Sequence, residues 1–205
     1  MIDLFPADAD NLPAMGTTRL EAFSDGVLAI IITIMVLELK VPHDATLHAL
    51  APLLPVLLSY VLSFVYVGIY WNNHHHMLHA CTNVTGSVLW ANLHLLFWLS
   101  LIPFATAWMG ENHFAAIPAA AYGVVLLMSA IAYWILQGRI IASQGADSLL
   151  AKAVGGDWKG KVSPLFYIAA ILAAPLSSWI SMSFYVAVAL IWVIPDRRIE
   201  RALTH

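Results

Sequence analysis

Only 10% of the 205 residues are charged and 61% are hydrophobic, against about 25% charged in an ordinary soluble domain. A chain so poor in charge, with mean hydropathy +0.80, reads as an integral membrane protein with no room for a sizeable soluble domain. A net charge of −3 without a basic run gives no footprint for nucleic acid, and the lone Cys81 builds neither an internal disulfide nor a thiolate metal site by itself.

Residues 1–16 hold three aspartates and no basic n-region, so they read as a short N-terminal tail and not as a cleavable leader. The first apolar stretch, Arg19 to Lys40, opens on Arg19, Glu21, Ser24 and Asp25. It then runs from Gly26 to Leu37 with Thr33 as its one polar residue. A helix over this stretch spans roughly 30 Å, the hydrocarbon thickness of a bilayer. At about 100° per residue, Arg19, Phe23, Gly26, Ile30, Thr33, Ile34 and Leu37 share one face, and Ser24, Asp25 and Leu28 point the other way. The aliphatic stripe is compatible with plain helix packing or with a site. Asp25 is either a first-turn cap and dipole partner or, inside a span where ionisable groups are costly, a residue with a task.

A turn at Val41–Asp44 precedes the second apolar run, His48 to Trp71, with Pro52 and Pro55 near its start. It flows into the polar stretch Trp71–Ala80, which is expected to stay helical. After a break over Thr82–Gly86, a third helix covers Ser87 to Trp108, with a kink expected at Pro103. Gly110–Asn112 reads as a tight loop and His113 to Gln137 as the fourth helix. A polar segment from Gly138 to Lys161 follows, with a turn at Gly155–Gly156. The last apolar stretch, Val162 to Ile194, is too long for one ordinary span. Pro175 and Ser177–Ser178 divide it into two short helices, Val162–Ala174 and Ser177–Ile194.

Six spans with the N-terminus inside place Arg19, Arg139, Lys152, Lys159, Lys161, Arg197, Arg198 and Arg201 on the cytoplasmic side and only Lys40 outside, as the positive-inside rule requires. The expected organisation is therefore an all-α, polytopic membrane protein. It has a tail at 1–16, a six-helix domain at 17–195 and a cytoplasmic C-terminal tail at 196–205. No internal repeat of the inverted-transporter kind is visible.

His74, His75, His76 and His79 gather at the end of the second helix, and His94 lies in the third. His75 and His79 share a face at a spacing suited to a transition metal, and histidines on facing helices can hold a haem. No carboxylate or thiolate completes such a set, so no metal or cofactor is expected, and a partner for Asp25 is the better role for at least one histidine. The chain has no G-x-S-x-G elbow, HExxH or glycine-rich phosphate loop, so it does not read as an enzyme. Thr33, Asn92, Ser100, Thr106, Ser129 and Ser177–Ser178 read mostly as packing hydrogen bonds within the spans. Trp71, Trp90, Trp108, Trp158 and Trp192 read as interfacial anchors.

Arg19-Leu20-Glu21-Ala22-Phe23-Ser24-Asp25-Gly26 resembles the R-x-x-x-F-S-D-G signature of the transmembrane protein 175 family, the potassium channels of lysosomes and endosomes and their prokaryotic relatives. Trp71-Asn72-Asn73-His74-His75 is similar to that family's W-x-x-H-H. Asn92 to Phe97 with Ser100-Leu101-Ile102-Pro103-Phe104 resembles its third helix, and the likeness runs over about residues 17–195. The resemblance implies a homotetramer of six-span subunits in the cytoplasmic membrane, with the first helix lining a central pore for potassium and no TVGYG-type filter. Carried over on the motif, it implies that Ile30 and Leu37, with Ile34 beside them, form the constriction and Thr33 the selectivity layer. It implies a polar network of Arg19, Phe23, Ser24, Asp25, Gly26, Trp71, His74, His75 and Asn92 that orients the pore helix. The implied partners are further copies of the chain, membrane lipid and permeant monovalent cations. His76 and His79 depart from the family pattern and are expected to add pH sensitivity near neutrality. The competing readings are a proton-linked carrier that uses Asp25 and the histidines as relay groups, and a membrane metal or haem protein.

Overall fold

The computed structural model describes residues 17–145, 148, 150–151 and 158–193. Among these residues every regular element is helical. α1 (Thr17–Leu37) is followed by a 3-10 stretch (Leu47–Leu53) that leads into α2 (Leu54–His79). Then come α3 (Gly86–Ser100), α4 (Ile102–Glu111), α5 (Ala116–Gln144), α6 (Trp158–Ala173) and α7 (Ser178–Val193). The tails at 1–16 and 196–205, Lys152, the Gly155–Gly156 turn and Ile194 lie outside the described residues.

The architecture is the expected all-α, six-pass arrangement. α1, the continuous 47–79 segment, the α3–α4 pair and α5 are each long and apolar enough to cross a bilayer. α6 and α7, with 16 described residues each, pack on one another; α6 also lies against α5 and α7 against α2. Pro175 divides them as expected: the chain turns there, with the Leu176 and Ser177 amides both donating to the Ala173 carbonyl at 2.9 Å.

Three boundaries differ from the expectation. Pro103 has no amide to give the Leu99 carbonyl, so the third span is broken and not merely kinked: α3 ends at Ser100 and α4 restarts at Ile102. The loop expected at Gly110–Asn112 comes later. α4 keeps Gly110 and Glu111, and the chain reverses through His113 and Phe114, with φ of 50° and 60°. Left-handed residues cannot extend a right-handed helix, so α5 begins at Ala116 and not at His113. At its other end α5 passes through Gly138 and Arg139 to Gln144, because Ile140, fully buried, continues the packing beyond that polar pair. With α6 starting at Trp158, much of the expected polar connection is helix.

In lipid, helices associate through close packing and interhelical hydrogen bonds, and both are visible. Ser63 of α2 meets the Thr106 hydroxyl of α4 at 2.6 Å and the Tyr122 hydroxyl of α5 at 3.0 Å. Tyr66 donates to the Tyr185 carbonyl at 2.7 Å, and the Tyr185 hydroxyl donates to the Ala119 carbonyl at 2.9 Å. Four helices are thus cross-linked through side-chain hydroxyls. Close approach depends on Gly110, where a Cβ would stand 2.8 Å from the Val56 Cα. Backbone there cannot yield, so Gly110→Ala is expected to destabilise by about 1–3 kcal/mol through overpacking. Gly68→Ala, whose Cβ meets nothing within 4 Å, is the matched control. Thermal midpoints of the detergent-solubilised variants check the contrast.

Candidate functional site

α1 is divided lengthwise. Leu20, Ser24, Leu28, Ile31 and Met35 are buried, a spacing of three and four that marks one helical face, and α1 packs there against α2, α3 and α4. The opposite side is exposed among the described residues: Phe23 is 53% exposed, Ile30 58%, Ile34 43% and Leu37 79%. Thr33 is exposed in the middle of that stripe, and its hydroxyl donates to the Ile30 carbonyl at 2.8 Å.

The buried side carries a hydrogen-bond chain whose direction is fixed by its last member. The Ser24 hydroxyl donates to the Leu20 carbonyl at 2.8 Å. Its oxygen therefore accepts from the Asn92 Nδ2 at 2.9 Å. That orients the Asn92 Oδ1 toward the His74 Nε2, 2.7 Å away. An amide oxygen only accepts, so the His74 imidazole carries its proton on Nε2. Ser24, His74 and Asn92 are all buried, and the chain ties α1, α2 and α3 together.

A second set of contacts lies toward the N-terminal end of α1. The Trp71 indole donates to the Asp25 Oδ1 at 3.0 Å, and the His75 Nδ1 stands 2.7 Å from the Glu21 Oε1. Glu21 and Asp25 are four residues apart on α1, as Trp71 and His75 are on α2. Two antiparallel helices therefore meet in two rungs. This corrects the expectation for Asp25: its partner is the indole, and the histidines go elsewhere. His74 turns inward to Asn92, and His75 takes Glu21, whose part had gone unrecognised although the matched four-residue spacings signal it.

The structure thus brings together Ser24, Asp25, Trp71, His74, His75 and Asn92, with Glu21 added. Arg19, Phe23 and Gly26 do not join them, since all three lie on the exposed side of α1. The histidine donors diverge: His94 accepts from the Trp98 indole at 3.0 Å, and the His79 ring stacks on His75 with centroids 6.1 Å apart.

The family model described as "Endosomal/lysosomal potassium channel TMEM175" matches residues 19–103. A potassium channel of Chryseobacterium sp. (strain P1-3) is 57% identical over 185 residues, covering 90% of this chain and 96% of its own length. The chain belongs to the TMEM175 family. Another TMEM175 relative, a potassium channel of Chamaesiphon minutus (strain ATCC 27169 / PCC 6605), is 30% identical over 193 residues, 87% of this chain and 94% of its own. The crystal structure of a lysosomal potassium-selective channel TMEM175 homolog from Chamaesiphon minutus matches with a TM-score of 0.76 at 28% identity, covering 88% of this chain and 97% of that one. The TMEM175 segment at 19–103 runs from the start of α1 into α4. It contains the whole exposed stripe and every residue of the polar network.

Proposed function

We propose that this TMEM175 chain is a subunit of a potassium-selective channel in the cytoplasmic membrane, with both termini cytoplasmic and α1 of each copy lining a central ion path in a homotetramer. The open stripe of α1 carries the reading: among the described residues Ile30, Ile34 and Leu37 stay exposed although a buried face of equal length lies behind them. Relatives named potassium channels support the choice of ion.

Copies of the stripe around an axis give successive apolar rings. A narrow apolar ring resists wetting and acts as a gate. Thr33 supplies the polar layer between them. Its proton is committed to the Ile30 carbonyl, which leaves the oxygen lone pairs for a cation stripped of part of its water. Potassium sheds water more readily than sodium, so such a layer favours it. The network behind α1 fixes the rotation of the helix, and one residue of angular slip, about 100°, turns the stripe away from the axis.

Purified protein in liposomes is expected to pass potassium down its gradient with no added energy source. Thr33→Val keeps the shape and removes the oxygen. It is expected to lower the potassium-over-sodium permeability ratio about three- to tenfold, the worth of one hydrogen-bond-sized interaction. An unchanged ratio rejects the role of Thr33. Slow, saturable flux that Asp25→Asn uncouples from the proton gradient rejects the channel in favour of a carrier.

A further inference from the structure

We propose that a cavity on the flank of the subunit away from α1 binds one membrane lipid with an anionic headgroup. The cavity, about 350 Å³, lies between α2, α5, α6 and α7, within the roughly 300–1,000 Å³ of sites that hold small molecules. Its walls are aromatic, formed by Tyr66, Tyr70, Tyr133, Trp134, Tyr167 and Trp192.

Two features say that the occupant is not purely apolar. Gln137, only 6% exposed, lines the cavity and offers it a side-chain amide. Tyr70, 8% exposed on the facing helix, lines it as well and offers a hydroxyl. Both are polar groups on a largely aromatic wall, within reach of a ligand oxygen that enters the space between them. The second feature is charge. Lys161, exposed, belongs to the cavity lining. One turn before Ser163 and Pro164 of that lining, the Lys159 Nζ sits 5.9 Å from the Trp192 ring centroid.

The way in decides the class of ligand. Trp134, 72% exposed, forms part of the wall on the apolar α5, so the opening faces the bilayer and what arrives there is an amphiphile. Tryptophan and lysine at the end of a span mark headgroup depth. The chain of a phospholipid then lies along the tyrosine rings, its ester and glycerol oxygens reach Gln137 and Tyr70, and its phosphate meets Lys161. The site lies off the proposed ion path, because α1 contributes no residue to the cavity lining.

Native mass spectrometry of the intact purified oligomer tests this. The probes are phosphatidylglycerol, phosphatidylcholine with the same chains, and free glycerol phosphate. Phosphatidylglycerol is expected to be retained at least about fivefold more tightly than phosphatidylcholine, in line with the worth of one lysine near an anionic headgroup. Lys161→Gln is expected to remove most of that preference and to leave phosphatidylcholine binding as it was. Ala130→Phe, which fills the cavity from α5, is expected to abolish retention of both lipids. Equal retention of the two lipids in the parent protein overturns the proposal, as does full retention in Ala130→Phe. Binding of glycerol phosphate alone replaces it with a site for a soluble phosphate. Should Ala130→Phe fail to assemble, Lys161→Gln decides, since an exposed side chain needs no repacking: an undiminished preference refutes the headgroup contact.

Discussion

Replacing Asn92 with leucine is expected to destabilise the protein by about 2–6 kcal/mol, enough to lose the assembled channel from detergent extracts. Asn92 is the middle of a one-way chain from the His74 Nε2 through its own amide to Ser24 and the Leu20 carbonyl. All three side chains are buried. Leucine leaves the His74 N–H without an acceptor, at about 1–3 kcal/mol. It also forces a branched carbon group against Ser24 and His74 in a filled interior, at a further 1–3 kcal/mol or so. Ser24→Ala leaves the Asn92 Nδ2–H without its acceptor but adds no bulk, and is expected to cost about 1–3 kcal/mol. Size-exclusion profiles after a temperature series read both effects on one instrument. If Asn92→Leu melts with the parent, the chain does not hold α1 to α3. A double-mutant cycle of Ser24 with Asn92 separates the pair's own contribution from the packing change.

Ile30→Asn is expected to raise potassium conductance severalfold or more and to leave stability close to that of the parent. The side chain is 58% exposed, so little packing is lost within the subunit. What changes is the wetting of the ring that copies of Ile30 make around the proposed axis: an amide hydrogen-bonds to water where an isoleucine repels it. Leu172, on α6, is 70% exposed and equally greasy, but it lies outside the α1 stripe. Leu172→Ala is therefore expected to leave conductance alone. Single-channel recording in a planar bilayer gives both numbers. Equal responses at Ile30 and Leu172 mean that the α1 stripe faces lipid, and the proposed path is then wrong.

Much of this was legible in the sequence for identifiable reasons. The membership of the α1 stripe follows from helical period, but which face is buried does not, because Leu20, Leu28, Ile31 and Met35 make the opposite face as apolar as the stripe. The polar partners on α2 and α3 were legible as residue types, since tryptophan, histidine and asparagine are conspicuous within apolar spans. Their pairing was not. Whether Asp25 meets Trp71 or a histidine depends on the relative rotation and register of two helices, which no single helix encodes. The reversal at His113 and Phe114 was hidden because it uses left-handed backbone without glycine. The hydroxyl links of Tyr66, Tyr122 and Tyr185 were hidden because tyrosine within an apolar run looks like any other aromatic. The overrun of α5 beyond Gly138 was missed because composition marks where polarity begins, and packing at Ile140 decides where the helix stops.

The rungs between α1 and α2 contain one more step than they use. On α2 the spacing that places Trp71 and His75 opposite Asp25 and Glu21 continues to His79, which is exposed and already stacked on His75. Moving α1 along its own axis by four residues, about 6 Å, brings Glu21 level with His79 and Asp25 level with His75. The ladder then reforms as two acid–imidazole pairs. The same displacement carries Ser24 away from Asn92. The spacing thus offers Glu21 a second imidazole one step along α2, while the buried hydrogen bond from Asn92 to Ser24 and the packed face of Leu28, Ile31 and Met35 hold α1 in the register it has.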